Sequence, residues 1–274
     1  MTTDARLRVF AEEIRVETLK LFQAREFGHV GGAMSVVEAL AALYGGAMAY
    51  DPKDPGMEGR DRLVLSKGHA GPALYATLAL KGFFPMDWLK TLNQPGTKLP
   101  SHCDRNMTPG VDMTTGSLGQ GISLAIGLAH GAKLNGDGST TYLIIGDGEC
   151  NEGQIWEGAL YAGGNKLDNL IVLVDENGQQ LDGYTENVLP LGSLRDKFAA
   201  FDFDTQEVDG HNADAVLSAI SNAKAHKGAP SAIILKTKKG YGCTFAEDQE
   251  FNHHIAFTKE QIDEALKSAR EVAV

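Results

Sequence analysis

The residues best suited to chemistry lie in Gly146-Asp147-Gly148-Glu149 and, 30 positions beyond that aspartate, at Asn177 within Val174-Asp175-Glu176-Asn177-Gly178-Gln179. Each segment follows a short apolar run, Thr141 to Ile145 and Leu170 to Val174, that reads as a fully buried strand. In open α/β sheets, ligands collect beyond the carboxyl ends of the strands. Glycine on both sides of Asp147 lets the backbone approach a diphosphate closely, while the carboxylate offers a hard oxygen to a cation. A gap of 30 residues is about one strand–helix–strand unit, which places Asp147 and Asn177 at neighbouring strand ends. With a backbone carbonyl such as that of Gln179 they make three oxygen ligands for Mg2+, phosphate and water completing the octahedron. Gly-Asp-Gly alone is an ordinary tight turn; the spacing is what makes it informative.

Histidines supply a second kind of chemistry. His29 sits in Phe27-Gly28-His29-Val30-Gly31-Gly32, His69 in Leu65-Ser66-Lys67-Gly68-His69-Ala70, and His102 in Ser101-His102-Cys103-Asp104, with His253 or His254 in Asn252-His253-His254. Imidazole exchanges protons near neutral pH without a large pKa shift, which suits a reaction that creates and removes charge on substrate oxygens. His130, His211 and His226 read as helix-face or loop residues. The stretch Lys236 to Gly240, with Lys238 and Lys239, reads first as a solvated charge run, with contact to phosphate as the alternative, and Cys150 as a small buried residue.

These groups need a scaffold, and the hydrophobic pattern supplies one. Leu7, Phe10, Ile14, Thr18 and Leu21 fall at three- and four-residue steps, predicting an amphipathic helix from Asp4 to Ala24. Ser35 to Glu38 has the form of a capping box opening a helix to about Met48. Asp51 to Asp61 is a loop, Pro72 to Lys81 a helix, and Pro85 to Pro109 a long irregular stretch of the kind that carries function. Further helices are expected over Ser117 to Leu134, Gln154 to Gly164 and Ala213 to His226, a strand over Ala232 to Lys236, and a last helix capped by Thr258 to Gln261. Alternating helices and buried strands predict one α/β domain over residues 1–274, with a doubly wound, mostly parallel sheet and helices on both faces.

The bulk properties narrow the partners. A net charge of −11 argues against nucleic acid, whose binders rely on Lys and Arg, but not against a small phosphorylated ligand held by a metal or helix N-termini. The start has no apolar leader, and the most apolar stretch, Ala39 to Tyr50, is 12 residues, too short to span a bilayer, so no membrane association is expected. The three cysteines, Cys103, Cys150 and Cys243, are far apart with no Cys-x-x-Cys pair, which suits a reducing cytoplasm and neither disulfides nor zinc.

Taken together these motifs resemble the thiamine-diphosphate enzymes, whose signature is Gly-Asp-Gly, roughly 30 residues, then Asn, and more specifically the N-terminal part of transketolase. The likeness runs in the family's order from Gly28 to about Leu266 and includes Leu65-Ser66-Lys67-Gly68-His69-Ala70 and Thr115-Gly116-Ser117-Leu118-Gly119-Gln120-Gly121. It implies thiamine diphosphate and Mg2+ as cofactors. His69 and His253 would contact the diphosphate with Gly148, Glu149 and Asn177; Gly116, Ser117 and Leu118 would meet the aminopyrimidine end; Asp147, Asn177 and Gln179 would hold the metal. His29, His102 and His253 would face substrate hydroxyls as catalytic groups. Phe27 and Val30 stand where the family commonly has Ser and Pro, and Asn252-His253-His254 lacks the family's Trp before and Gly after. The family's pyrimidine-binding and C-terminal regions, with the carboxylate that activates the cofactor, have no counterpart in these 274 residues. The resemblance therefore implies a split enzyme in which this chain and a separate C-terminal subunit form a heterotetramer, two copies of each. It also implies transfer of a two-carbon ketol unit from an anionic ketose to an aldose. The α-subunit of a 2-oxo-acid dehydrogenase shares the Gly-Asp-Gly signature but not the two longer motifs. Deoxyxylulose phosphate synthase and a non-catalytic, cofactor-binding subunit stay open as well. A dinucleotide-binding oxidoreductase is unsupported, because Gly146-x-Gly148 continues to Asn151 rather than Gly.

Overall fold

The computed structural model describes residues 3–272. Five strands, β1 (Arg62–Leu65), β2 (Thr141–Gly146), β3 (Leu170–Glu176), β4 (Asp204–Asp209) and β5 (Ser231–Lys236), form one sheet in the order β1-β2-β3-β5-β4, every adjacent pair parallel. Alternate side chains on the inner strands go to opposite cores. Tyr142, Ile144, Ile171, Leu173, Ile233 and Leu235 join one cluster, and Leu143, Ile145, Val172, Val174 and Ile234 the other. Burial on both faces is why these segments read as unbroken apolar runs.

The first core is covered by helices α1 (Thr3–Gln23), α2 (Val37–Ala42), α3 (Gly71–Leu80), α7 (Ala213–Ala225) and α8 (Lys259–Val272). The second lies under α4 (Gly121–Asn135), α5 (Gly153–Gly164) and α6 (Leu194–Ala200). The doubly wound expectation is met. Thr258 caps α8 as expected: its N–H donates to Gln261 Oε1 at 2.8 Å and its hydroxyl accepts from the Gln261 N–H at 3.3 Å.

Three readings need correction. Ser35 does not open α2: it is the C-cap of a short helix, Val30–Met34, the N-cap of α2 is Val36, and Ser35 Oγ donates to Asp175 Oδ2 at 2.7 Å, a buried charged acceptor on β3. Ser117 to Gln120 precede α4 rather than open it, because Gly116 (φ 127°) and Gly119 (φ 86°) hold a left-handed turn there. The most apolar helical run is longer than 12 residues: Val30–Ala47, 18 residues of mean hydropathy 1.3, is long and apolar enough to cross a bilayer, yet 83% of it is buried inside the molecule. That burial marks it as core. Strands β1 and β4 and helix α6 were not expected.

Register sets the site. Gly146 pairs with Asp175 across β2 and β3, so the turns after both strands emerge side by side at the carboxyl edge.

Candidate active site

Asp147 leaves β2 with its carboxylate fixed by two backbone donors. Oδ1 accepts from the Gly148 N–H at 2.7 Å and Oδ2 from the Gly178 N–H at 2.6 Å, the second donor lying in the neighbouring turn. Asn177 is oriented from behind: its Nδ2 donates to Asp175 Oδ2 at 2.9 Å, leaving Oδ1 to accept from the Gln179 N–H at 3.0 Å. Asp147, Asn177 and Gln179 line one cavity of about 360 Å3 together with Lys67, His69, Leu118, Lys239 and His253. Burial, helped by the nearby Asp175 carboxylate, pushes the Asp147 carboxyl up to about 7, as befits a buried oxygen donor whose charge a cation would balance.

Two lysines bring positive charge to the same cavity. Lys67, only 2% exposed, pairs with Asp175 and lies within reach of the Ser35 hydroxyl. Burial alone would raise Asp175, but the Lys67 ammonium and the hydrogen bonds from Lys67, Thr237 and Ser35 outweigh it and hold that carboxyl below its ordinary value. Lys239 is 3% exposed and has only long contacts to the Gln179 and Gln180 carbonyls, 3.5 and 3.3 Å. Burial and then Lys67 bring it down to about 8. The buried His253 Nδ1 and Gln179 Oε1 have no hydrogen-bond partner among the described residues. A Cβ on Gly146, which also lines the cavity, would meet nothing within 4 Å. Oxygen donors, ammonium groups, an unpaired imidazole nitrogen and open space beside Gly146, all lining one cavity, fit a cation and a diphosphate bound together.

Glu149 lines the cavity and also serves as a tether. Its carboxylate accepts from Ser66 Oγ, from the Gly119 N–H at 2.8 Å and from the Gly146 N–H at 3.2 Å, tying the ends of β1 and β2 to the turn before α4. That turn brings Leu118 onto the cavity and sets Gly116 against His102, where an added Cβ would come within 2.6 Å of the ring. Ser117 is exposed beside them.

Above the cavity the expected histidines converge. The His29 ring lies 5.8 Å from His69, 5.4 Å from His102, 5.4 Å from His253 and 4.7 Å from His254, and His69 lies 4.4 Å from His253. Both members of the His253/His254 pair are therefore present, and only His253 reaches the cavity wall. Burial is the main cause of the shifts: with His254 and His102 it lowers His29 to about 4, and with Lys239 and His29 it lowers His253 to about 3. His69 is held well below 6.5 by burial and Lys67, and His102 is lowered by burial. These imidazoles are neutral at pH 7, able to donate one hydrogen bond and accept another. A Cβ on Gly32 would fall 2.7 Å from the His69 ring, which explains a glycine-rich segment after His29.

Lys67, Asp175 and Asn252 were missed as site residues, and Lys239 was ranked first as a surface charge. Lys239 corrects the charge-run reading: Lys238 does face outward, pairing with Asp248 at 2.7 Å, but Lys239 turns in. Asn252, fully buried, donates to the Lys239 and Ala246 carbonyls and accepts from the Gly31 N–H through its own carbonyl, joining the His29 and His253 segments. Cys150 is buried, and His130, His211 and His226 lie outside the cluster, as expected.

A parallel sheet with this pair of turns at its carboxyl edge defines a diphosphate-holding domain of the thiamine-diphosphate class. Residues 7–270 match the family described as transketolase, thiamine diphosphate binding domain, and the chain belongs to the transketolase family. It is 54% identical over 250 residues to the 6-deoxy-6-sulfo-D-fructose transketolase subunit SqwG of Clostridium sp. (strain MSTE9), covering 91% of each chain. It is 38% identical to an apulose-4-phosphate transketolase subunit of Actinobacillus succinogenes, covering 89% of this chain and 88% of that one. Among solved structures it is similar to the transketolase of Campylobacter jejuni, with TM-score 0.89 and 30% identity over 96% of this chain. The Leishmania mexicana transketolase gives 0.87 and 32% over 97%. The chain spans only 42% and 44% of the length of those two proteins.

Proposed function

We propose that this chain is the diphosphate-binding subunit of a split transketolase, which with thiamine diphosphate and Mg2+ moves a two-carbon ketol unit from an anionic ketose to an aldose. The observation that carries the reading is the shared cavity, lined by Asp147, Asn177 and Gln179 together with Lys67, Lys239, His69 and His253, with the His29 ring 5.8 Å from His69 and 5.4 Å from His102. Asp147 Oδ, Asn177 Oδ1 and the Gln179 carbonyl would hold the metal, and Lys239, His69 and His253 the diphosphate. Leu118, with Gly116 and Ser117 behind it, would meet the aminopyrimidine end. When bound, thiamine diphosphate supplies the carbanion chemistry for the carbon–carbon bond.

The protein's part is to place protons. In the net reaction the C2–C3 bond of the ketose breaks, the C3 hydroxyl becomes the carbonyl of the departing aldose, and a new bond forms to the carbonyl carbon of the acceptor. A neutral imidazole of the His29–His102–His253 group takes the proton from the C3 hydroxyl and returns one to the acceptor oxygen. The low pKa values keep these rings in the proton-accepting form at pH 7.

The buried carboxylate on the Leu118 side of the cavity, Glu149, is committed to Ser66, Gly119 and Gly146, so a partner is proposed to bring the carboxylate that meets the aminopyrimidine. Its docking face would be α4 and α5, where Leu134, Leu160 and Tyr161 are 77%, 64% and 46% exposed and a Cβ on Gly127 or Gly131 would meet nothing within 4 Å. Two copies of each chain and a cytoplasmic setting, which suits three free, buried cysteines, complete the proposal. The test is to purify this chain with the product of the adjacent reading frame and assay ketol transfer with and without Mg2+ and thiamine diphosphate. Activity of the pair that needs both additions is expected; turnover by this chain alone would refute the split arrangement.

A further inference from the structure

Two short segments at the mouth of the site pair as antiparallel strands: Phe27 with Ala256 and Gly28 with Ile255, closed at the outer end by the Phe257 N–H donating to the Glu26 carbonyl at 3.1 Å. Extending that register one step inward sets His29 opposite His254. Facing residues of such a pair share one side of the ladder, and diagonal neighbours remain within reach of aromatic side chains. The rings agree: His254 is 4.7 Å from His29 and 5.5 Å from Phe27.

Exposure grades along this group. His69 is buried, His29, His102 and His253 are partly buried, and His254 and Phe27 are exposed, Phe27 by 46%. His254 also does not line the diphosphate cavity, whereas His253 does. His254 and Phe27 are thus the exposed end of the group beside His29, within reach of the outer part of a substrate that reacts at the depth of His29. Imidazole can donate to one hydroxyl and accept from another, while a phenyl face packs against the C–H groups of a sugar chain.

We propose that His254, with Phe27 beside it, is a specificity residue that reads the hydroxyl-bearing chain of the sugar beyond the two carbons transferred. This rests on the ketol-transfer reading and names the part of the substrate that this edge of the site recognises. Because the departing and incoming aldoses both carry such a chain, the contact serves both halves of the reaction.

The experiment uses the complex of this chain with its partner subunit, loaded with Mg2+ and thiamine diphosphate. First-turnover release is followed without acceptor from two kinds of donor. One is whichever ketose the parent uses best among D-xylulose 5-phosphate, D-fructose 6-phosphate and 6-deoxy-6-sulfo-D-fructose. The other is hydroxypyruvate, which delivers the same two-carbon unit by losing carbon dioxide and has no polyol chain. In His254→Ala the half-saturating ketose concentration is expected to rise about tenfold, the worth of one lost hydrogen bond. The values for hydroxypyruvate and for thiamine diphosphate should stay within about twofold, and His254→Gln, which keeps a donor and an acceptor, should recover part of the loss. An equal change for both donors, or none for either, would overturn the proposal. A parent complex that releases aldose from no ketose would instead overturn the ketol-transfer reading, and this inference with it.

Discussion

Replacing Asp147 by Asn should stabilise the unliganded chain while abolishing its response to Mg2+ and thiamine diphosphate. The carboxyl is raised from 3.8 to about 7 by burial and by Asp175, so its ionisation opposes folding. A pKa raised in the folded state contributes stability that is present below about 3.8 and lost as pH climbs through about 7. At pH 8.5 the loss is on the order of 4 kcal/mol, roughly three units at about 1.4 kcal/mol each. Asparagine removes the charge but can accept only one of the two N–H groups of Gly148 and Gly178. The other is left facing an amide, at a cost of about 1–3 kcal/mol. The balance favours the variant by about 1–3 kcal/mol, or several degrees in Tm at roughly 2–4 °C per kcal/mol. At about 1,000 times Kd, metal and cofactor together should add about 4.1 kcal/mol to the parent and nothing to the variant, reversing the order. Thermal melts at pH 8.5 and pH 5, with and without ligands, decide the matter. A variant less stable than the parent at pH 8.5 without ligand, or one that keeps the ligand-induced rise, would show that Asp147 is not a buried anion that a cation balances.

Glu149→Ala should cost roughly 3 kcal/mol or more, because the Gly119 and Gly146 N–H groups and the Ser66 hydroxyl lose their acceptor; an unchanged urea midpoint would contradict the tether assigned to it. Gly32→Ala drives a methyl to 2.7 Å from His69 and is expected to lower stability by about 1–3 kcal/mol and to weaken diphosphate affinity, read by titration of the cofactor. The histidine cluster should make the chain acid-sensitive. Its pKa values lie below the unfolded 6.5, at about 4 for His29 and about 3 for His253, so the unfolded state takes up protons first and stability falls as pH drops from about 6.5 toward 4. Measured in the Asp147→Asn background, which removes one carboxyl of opposite effect, adding His29→Asn and His253→Asn should make the fall of the urea midpoint over that window shallower; the same profile with and without these two histidines would be inconsistent with buried neutral rings.

What could be read from the sequence was what local pattern controls. The apolar runs of β2, β3 and β5 announce strands buried on both faces, and the turn residues after them announce where Asp147 and Asn177 stand. Strand β4 was hidden because it is an edge: it pairs only with β5, so Asp204, Gln206 and Glu207 can be polar. Ser35 and Glu38 imitate a capping box, but partners far along the chain claim them, Asp175 for the serine and Arg15 for the glutamate. Lys238 and Lys239 are indistinguishable by composition. Only the path of the turn after β5, held by Asn252, sends one to solvent and the other into the site.

A net charge of −11 and an anion-binding site are compatible because the two act over different distances. Surface charge is screened over about 10 Å at 0.1 M salt, whereas the cavity's charges are buried and face one another directly. The cavity is lined by Lys67 and Lys239 and by the carboxylates of Asp147, Glu149, Glu152 and Asp182, with Asp175 paired to Lys67, so both signs of charge are present before any ligand enters. A diphosphate arriving alone would place its oxygens beside the Asp147 carboxylate, and Mg2+ arriving alone would sit close to the two lysines. Either mismatch costs several kcal/mol at the effective dielectric of a partly buried site, about 4 kcal/mol per pair of unit charges 4 Å apart. Arriving together, metal and diphosphate offset each other's charge and match a lining that carries both signs. Each should therefore tighten the other's binding, and by linkage the factor must be the same in both directions. Titrating Mg2+ with and without thiamine diphosphate, and the cofactor with and without Mg2+, should return one common coupling of at least tenfold. Independent binding of the two would mean that Asp147 and the lysines do not share the charges they face.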